Sequence, residues 1–385
     1  MPVRRGSSSL ADPAAAVAEL RELIMFGNAA TVLLFISPIY DRVRLREAIN
    51  REFAGVNVIG CTTAGEITPE GYREGTLTGA AFNADQFKIN SVLVRDIAAF
   101  SMETGSDVVH AALGGLGLSF PTARHVPAQT FAMLLIDGMS MQEEVVVSSL
   151  NRFLDPIPLF GGSAGNGLDF GQTFVFAEGE FHESAAVLTV FETSCPFEVF
   201  KIDHFSPTDQ KMVVTEADPN LRLVTEINAE RAGPAYARIL GLDTEQLSPM
   251  VFAACPVVVR IGGEYHVRSI QKLEDDGSLR FYCGIDEGLV LTVANGGDMV
   301  LKLEQALENL TVKLESREII LGCDCILRRL EAQQTQKTLE VSEILKRNKV
   351  LGFNTYGEQF KSMHVNQTFT GVAIGRPRLA EGAQG

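Results

Sequence analysis

Apolar and amphipathic stretches alternate along the first half of the chain and predict strands and helices in turn. The apolar run at residues 32–36 predicts a buried strand, and the charged, amphipathic stretch at 41–53 predicts a helix. A further strand at 56–60 completes a strand–helix–strand order with the short spacing of a βαβ unit. Residues 1–12 predict a loose tail, which leads into a helix at about 13–26.

The second half of the chain predicts more strands than helices. Helices are expected at about 221–240 and 326–348, whereas β-rich runs occupy most of the remainder. Most neighbouring strands are expected to be antiparallel. The sequence therefore predicts the α+β class, with mixed, largely antiparallel sheets layered with helices.

One segment of the chain is repeated near its C-terminal end. Residues 60–66 read GCTTAGE, and residues 352–358 read GFNTYGE, in a register that then continues without a gap. A more divergent copy lies between them, with 133–136 as its opening strand and 159–166 as its glycine-rich loop. An apolar strand and a helix precede the motif each time. We therefore predict an internally repeated βαβ-type unit.

Length and composition divide this pattern into domains. The chain has 385 residues, of which 46% are hydrophobic, and can fill more than one ordinary core, so two domains are expected. The expected parts are an N-terminal tail and helix at 1–29, a first domain at 30–194, a second domain at 195–376 and a C-terminal tail at 377–385. A homodimer is expected because dimers are the commonest oligomers of soluble proteins.

The charge of the chain argues against two classes of direct partner. A formal net charge of −15 disfavours binding to a nucleic-acid backbone or to an anionic membrane surface. No apolar run reaches the ~18 residues of a membrane helix, and the N-terminus lacks the apolar region of a signal peptide. The six cysteines show no disulfide-framework spacing. These features indicate a protein of the reducing cytoplasm.

The early and late copies differ at a chemically important position, where the late copy has His364 and the early copy has Tyr72. In an extended segment, His364 shares one face with Asn366, Thr368 and Thr370. Such a face gathers an imidazole, an amide and hydroxyl groups. Asn366 or a backbone carbonyl could then hydrogen-bond the second ring nitrogen of a ligating histidine. The alternative is that His364 caps a hydrogen-bond network and binds nothing.

Other residues offer less chemistry. His204 is the second choice among the histidines. Cys323 and Cys325 could form half of a metal site, but zinc would need two further ligands, so structural roles are expected. Ser163 lies in a GGSAG string that is similar to a nucleophile elbow, yet nothing in the sequence links it to a histidine and an acid. The chain is therefore not expected to be an enzyme.

Four motifs resemble those of FIST-domain proteins: residues 58–67 (VIGCTTAGEI), 159–166 (LFGGSAGN), 323–326 (CDCI) and 352–358 (GFNTYGE), the last followed by HVNQT at 364–368. The resemblance extends from about residue 30 to 375. It implies a two-domain FIST fold, with a FIST N-terminal domain at 30–194 and a FIST C-terminal domain at 195–376. FIST proteins are sensory ligand-binding modules of bacterial signal transduction.

Within this family the chain resembles the NosP haem proteins, which sense nitric oxide. The likeness implies haem b as cofactor, nitric oxide as gaseous ligand, and a histidine kinase or cyclic-di-GMP enzyme as signalling partner. The cofactor-binding residues that it implies are His364, Asn366, Met363, Tyr356 and Asn354, with His364 as the iron ligand. Tyr72 could also bind iron, because tyrosinate can bind ferric haem, although the expected role of Tyr72 is that of an aromatic residue at a strand end. The rival function is a haem-free FIST receptor for a small ligand of amino-acid type.

Overall fold

The computed structural model describes residues 1–120, 129–169, 171–261, 263–314 and 316–377. Residues 378–385, most of the predicted C-terminal tail, lie outside this description. Three copies of one unit account for most of the described chain. Each copy runs in the order strand, helix, strand, helix, strand, two-stranded hairpin and final strand.

The first copy begins near the N-terminus. Its elements are β1 (Val3–Ser8), α1 (Pro13–Ile24), β2 (Ala29–Ile36), α2 (Arg42–Glu52), β3 (Asn57–Thr62), the hairpin strands β4 (Glu66–Thr68) and β5 (Gly71–Arg73), and β6 (Leu77–Asn83). An aspartate caps each helix: Asp12 accepts a hydrogen bond from Ala15 N–H, and Asp41 accepts one from Arg44 N–H. These caps fix where α1 and α2 begin.

The second copy repeats this order. Its elements are β7 (Phe87–Val94), α3 (Met102–Gly114), β8 (Thr130–Ile136), α4 (Glu143–Leu154), β9 (Leu159–Ser163), the hairpin strands β10 (Val175–Ala177) and β11 (Glu180–His182), and β12 (Ala186–Thr193). A 3₁₀ turn at Ile97–Ala99 precedes α3.

The third copy begins with β13 (Phe197–Ile202) and is then interrupted by an inserted segment, here called the insert. The insert contains β14 (Phe205–Asp218), β15 (Leu223–Ile227), β16 (Glu230–Arg231), α5 (Ala232–Leu240), α6 (Pro249–Ala254), β17 (Val257–Ile261), β18 (Glu264–Arg268), β19 (Ile270–Leu273), β20 (Leu279–Phe281) and β21 (Val290–Gly296). Its strands form one eight-stranded sheet with a core of its own.

The third copy resumes after the insert. Its remaining elements are α7 (Met299–Leu314), β22 (Arg317–Cys325), α8 (Ile326–Gln334), α9 (Thr338–Arg347), β23 (Val350–Thr355), the hairpin strands β24 (Glu358–Phe360) and β25 (Met363–Val365), and β26 (Phe369–Gly375). Two helices thus stand where the other copies have one.

The three copies exchange their hairpins in a cycle. The sheet of the first copy is β1-β6-β2-β3-β10-β11, so it ends with the hairpin of the second copy. The sheet of the second copy, β7-β12-β8-β9-β24-β25, ends with the hairpin of the third. The sheet of the third copy, β13-β26-β22-β23-β4-β5, ends with the hairpin of the first. Each hairpin is therefore held by a copy other than its own.

Each of these three sheets has one parallel pair at its centre, namely β2–β3, β8–β9 and β22–β23. Helices connect the two strands of each parallel pair, and antiparallel strands flank the pair. The prediction of an α+β fold with mixed, largely antiparallel sheets and a repeated βαβ-type unit is confirmed.

One hydrophobic core joins the inner faces of the three sheets. Phe35 of the first copy stacks on Phe353 of the third, with ring centroids 4.8 Å apart, while Phe131 and Phe191 stack within the second copy at 4.7 Å. The helices cover the outer faces, where each sheet builds a separate core with its own helices. Strands buried on both faces explain the continuous apolar runs in the sequence.

Glycine at one repeated position lets the parallel strands approach closely. A Cβ added at Gly60 would lie 2.3 Å from the Leu34 carbonyl oxygen, and one at Gly352 would lie 1.8 Å from that of Gly322. Gly161 occupies the same position in the second copy. Real Cβ atoms do not approach an oxygen so closely, so the first residue of the sequence motif is required for packing.

The register of the early and late copies agrees with the predicted repeat. In the hairpin of the first copy Ile67 pairs with Tyr72, and in that of the third copy Gln359 pairs with His364. Tyr72 and His364 therefore hold equivalent positions, as predicted.

Three predicted elements differ from the structure. Residues 1–12 are not a loose tail, because Val3–Ser8 forms β1 and pairs with β6. The helix predicted at 221–240 begins only at Ala232, since the preceding residues form β15 between β14 and β20. The helix predicted at 326–348 is broken into α8 and α9 at Gln336, whose φ of 58° is left-handed.

Candidate functional site

The exchange of the third hairpin positions His364. Strand β24 pairs with β9 along its whole length, so the hairpin joins the sheet of the second copy. Backbone hydrogen bonds anchor the preceding loop: Ser163 N–H donates to the Gly357 oxygen (2.8 Å), and Tyr356 N–H donates to the Ser163 oxygen (3.3 Å). Strand β25 then packs against α4. His364, at the centre of β25, is thus buried against the second copy.

His364 is a neutral, buried imidazole. The residue is 2% exposed, and burial lowers the pKa of His364 to about 4. Its Nδ1 lies 3.4 Å from the amide nitrogen of Gln359. Because an amide nitrogen only donates, Nδ1 accepts and the ring proton lies on Nε2. Nε2 itself is buried and has no hydrogen-bond partner among the described residues.

Further buried polar atoms surround the ring and form, with it, a polar cluster of His364, Gln359 and Asn366. Gln359 Oε1 and both side-chain polar atoms of Asn366 have no partner within the described ranges. Gly357 lies between ring and amide, since a Cβ there would be 2.6 Å from His364 Nε2 and 3.0 Å from Asn366 Nδ2. Each buried unpaired group costs about 1–3 kcal/mol, so the polar cluster lowers stability as it stands.

The extended segment predicted to carry His364, Asn366, Thr368 and Thr370 on one face does not form. Strand β25 ends at Val365, and the chain turns before β26 begins at Phe369. Asn366 therefore does not reach the imidazole nitrogen for which it was proposed, and Gln359 lies there instead.

The other predicted cofactor residues lie in different surroundings. Tyr356 is buried, and its hydroxyl accepts a hydrogen bond from Asn166 N–H at 3.0 Å. Asn354 is turned toward Arg329, whose guanidinium donates to the amide oxygen at 3.3 Å. Met363 is half-buried in the hairpin. The structure brings Tyr356 close to the polar cluster through Gly357 but places Asn354 in a separate set of contacts.

A buried glutamate, Glu358, is the first residue of the third hairpin. Glu358 Oε1 accepts from the Thr355 hydroxyl, and Oε2 accepts from the backbone N–H (3.2 Å) and hydroxyl (2.6 Å) of Thr368. Burial raises the pKa of Glu358 to about 8, although these hydrogen bonds act in the opposite direction. The carboxyl group is therefore protonated near neutral pH.

The first hairpin repeats this arrangement. Glu66 accepts from the Thr63 hydroxyl at 2.5 Å, and from the backbone N–H (2.9 Å) and hydroxyl (2.8 Å) of Thr76. Burial raises the pKa of Glu66 to about 7. Both glutamates follow a Thr-x-x-Glu spacing in the repeated motif, a signal that could have identified them from the sequence.

A cavity of 190 Å³ lies between the insert and the second copy, here called the insert cavity. Its apolar wall consists of Met139, Met141, Leu221 and Phe281. Its polar side chains include Glu143, Arg222, Gln271 and Arg280, and Tyr356 connects it with the polar cluster.

A buried ion pair closes one side of the insert cavity. One nitrogen of Arg222 lies 2.6 Å from Glu143 Oε2 and 2.8 Å from Glu144 Oε2. Glu144 also accepts from Gly284 N–H at 2.6 Å. Burial raises the pKa of Glu143, even though Arg222 opposes this shift. Since both glutamates belong to α4, these contacts fasten the insert to the second copy.

Tyr72 and His204 belong to a second group of polar residues, here called the buried polar network, which also contains Asp324, Arg328 and Glu331. The Tyr72 hydroxyl donates to Asp324, which pairs with Arg328 at 2.8 Å. Arg328 lies 3.1 Å from His204 Nδ1, and His204 Nε2 lies 2.9 Å from Glu331 Oε1. Burial raises the pKa of Tyr72 well above its ordinary value, so the residue is a phenol and not a tyrosinate.

The polar cluster does not fit a haem in this arrangement. A histidine that binds iron through Nε2 needs its proton on Nδ1, but here Gln359 donates to Nδ1. A Cβ added at Gly357 would lie 2.6 Å from Nε2, so the Gly357 loop leaves no room for a haem there, and the neighbouring insert cavity measures only 190 Å³. Ligation would require the Gly357 loop to move and the amide of Gln359 to turn over.

Sequence reasoning also missed Arg222 and Glu143. They are 79 positions apart and follow no recognisable motif, so nothing in the sequence joins them. Cys323 and Cys325 are buried, free thiols. Among the residues of the five described ranges, no group of three His, Cys, Asp or Glu side chains could hold a metal ion. In the same ranges, no helix is both long and apolar enough to cross a bilayer.

Comparison with known proteins identifies the family. No curated protein matches the chain. Among solved structures, PurLQS from Thermotoga maritima is 12% identical, with 98% of this chain and 73% of that chain covered, but the TM-score of 0.19 carries no argument. The FIST N domain matches residues 30–230, and the FIST C domain matches residues 232–361. The chain therefore belongs to the FIST family, whose domains are sensory modules of signal transduction that bind small ligands.

Proposed function

We propose that this protein is a haem-free FIST receptor for a small zwitterionic ligand of amino-acid type, bound in the insert cavity. The observation that carries the proposal is the combination of a buried carboxyl group, guanidinium groups and an apolar wall around one cavity. Its 190 Å³ is below the ~300–1,000 Å³ of pockets that hold drug-sized molecules, so the ligand is small.

Each part of such a ligand has a partner on the wall. The ammonium group pairs with Glu143, whose pKa is raised by burial and by the neighbouring Glu144. The apolar side chain packs on Met139 and Phe281, and the carboxylate faces Arg280. A buried polar site of this kind selects its ligand strongly, because an analogue without the charged group leaves the protein group unpaired.

The position of the insert cavity supports a sensory role. Arg222 connects the insert with α4, and α4 packs against β25. A ligand cation that takes over Glu143 weakens its pairing with Arg222 and so changes how the insert is held. We propose that this change is the signal in a bacterial cytoplasmic homodimer, and that a histidine kinase or a cyclic-di-GMP enzyme receives it.

Isothermal titration of the standard amino acids into the protein tests the proposal. Glu143→Gln should weaken binding of the best ligand at least about tenfold, because a charge-assisted hydrogen bond is lost. Glutamine can still accept from Arg222, so the fold should persist. The control is Glu230→Gln, which removes a carboxylate from an exposed ion pair with Arg238 on the same insert. Binding that Glu143→Gln leaves unchanged would place the ligand elsewhere.

A haem-bound nitric oxide sensor is the second candidate function. The Nε2 of His364, which has no partner in the described chain, favours it, since this buried nitrogen could bind iron once the Gln359 amide has turned over and the ring proton has moved to Nδ1. Hemin titrated into the protein should give a Soret band at about 1:1 stoichiometry, and His364→Ala should abolish it. Tyr72→Phe, at the equivalent position of the first copy, is the matched control. A protein that stays colourless with hemin contradicts this candidate.

A further inference from the structure

A second cavity, of 380 Å³, lies where the insert joins the third copy, and is here called the neck cavity. One wall is formed where the chain enters the insert, at Phe205, and where it leaves the insert for the third copy, at Gly297. Met250 and Ala254 of α6 form a second wall, and Glu331 of α8 forms the third. Residues of both the insert and the third copy therefore line the neck cavity.

Glu331, which lines the neck cavity, has one unsatisfied carboxylate oxygen. Glu331 Oε1 is engaged by His204, but Oε2 is buried and finds no partner in the part of the chain that the structure describes. No lysine or arginine occurs among the described residues that line the cavity. A buried carboxylate oxygen without a donor is costly, and a bound donor would remove that cost.

The hydrogen bonds behind Glu331 leave one of its oxygens without a donor. Arginine can only donate, so His204 Nδ1 accepts from Arg328, and His204 Nε2 donates to Glu331 Oε1. The Arg328 guanidinium donates to Asp324 and His204. Within the described residues, the buried polar network therefore supplies no donor to Glu331 Oε2.

We propose that the neck cavity binds a small organic ammonium ion, distinct from the ligand of the insert cavity. The ammonium group donates to Glu331 Oε2, the oxygen that has no donor among the described residues. The carbon chain lies against Phe205, Met250 and Ala254. Aromatic and thioether side chains beside a carboxylate suit a primary alkylamine, whose charged end is small and whose body is apolar.

Butylammonium chloride is the probe, and saturation-transfer NMR with isothermal titration measures its binding. Butanol has a similar shape without the charge, and butyrate has the opposite charge. Butylammonium should bind at least about tenfold more tightly than either, since only it makes a charge-assisted hydrogen bond with Glu331. Equal binding of butanol, or no binding of butylammonium, would overturn the proposal.

Variants locate the probe. Glu331→Gln should weaken butylammonium binding at least about tenfold, while its amide oxygen can still accept from His204. Ala254→Phe should block the cavity from an exposed position without changing any charge. Glu230→Gln, in the exposed ion pair with Arg238, should leave this binding unchanged. Thermal melts confirm that each variant is folded. If Glu143→Gln abolishes binding and Glu331→Gln does not, the neck cavity is not the site.

Discussion

Glu358→Gln should change the way in which stability depends on pH. Burial raises the pKa of Glu358 from 4.5 to about 8, and the nearby Asp324 adds to this rise. Because the folded value is the higher one, folding favours the protonated carboxyl group. The resulting stability is fully present below about pH 4.5 and is lost as the pH rises through about 8.

The size of the effect follows from the shift. The difference between 8 and 4.5 is 3.5 pKa units, and each unit corresponds to about 1.36 kcal/mol. The contribution of Glu358 to the free energy of unfolding therefore changes by about 5 kcal/mol across the full pH range. Glutamine has the shape of the protonated acid and can hydrogen-bond both Thr355 and Thr368, but it does not titrate in this range. Glu358→Gln should therefore remove this part of the pH dependence.

Urea unfolding at about pH 5, 6.5 and 8 measures the effect. The free energy of unfolding of Glu358→Gln should rise relative to that of the unsubstituted protein by about 4 kcal/mol from pH 5 to 8. Glu66→Gln should show a smaller rise, complete near pH 7, because the pKa of Glu66 is raised only to about 7. Glu308→Gln, in the exposed face of α7, is the control.

Parallel pH profiles for Glu358→Gln and the unsubstituted protein would refute the reasoning. The carboxyl group would then be ionised in the folded protein at neutral pH, and burial could not be the dominant influence on it. Parallel profiles for Glu66→Gln alone would instead show that the two hairpins are not electrostatically equivalent.

Two further predictions concern the packing of the parallel strands and the buried polar network. Gly352→Ala should lower the free energy of unfolding by at least about 3 kcal/mol in a urea titration, because its Cβ would lie 1.8 Å from the Gly322 oxygen. Gly114→Ala is the control and should be nearly neutral, because open space surrounds Gly114. Tyr72→Phe should cost about 1–3 kcal/mol, since Asp324 loses a buried donor, and an unchanged unfolding midpoint would show that this hydrogen bond contributes nothing.

The amino-acid sequence by itself determined the repeated unit. Continuous apolar runs indicated the buried strands, and glycine recurred at the positions of Gly60 and Gly352 because two parallel strands must touch there. The equivalence of Tyr72 and His364 could also be predicted, since the register of the copies contains no gap. These features are local or repeated, so each can be inferred from the spacing of neighbouring residues.

Only the tertiary structure decided where each hairpin lies. The strand pattern of β24 and β25 is the same whether the hairpin joins its own copy or another, and β1 has too few apolar residues to reveal its pairing with β6. The exchange buries His364 against the second copy, and the insert brings Arg222 to Glu143 across 79 positions. Contacts between distant segments depend on which surfaces meet in the folded chain, and the local periodicity of the sequence does not determine which surfaces these are.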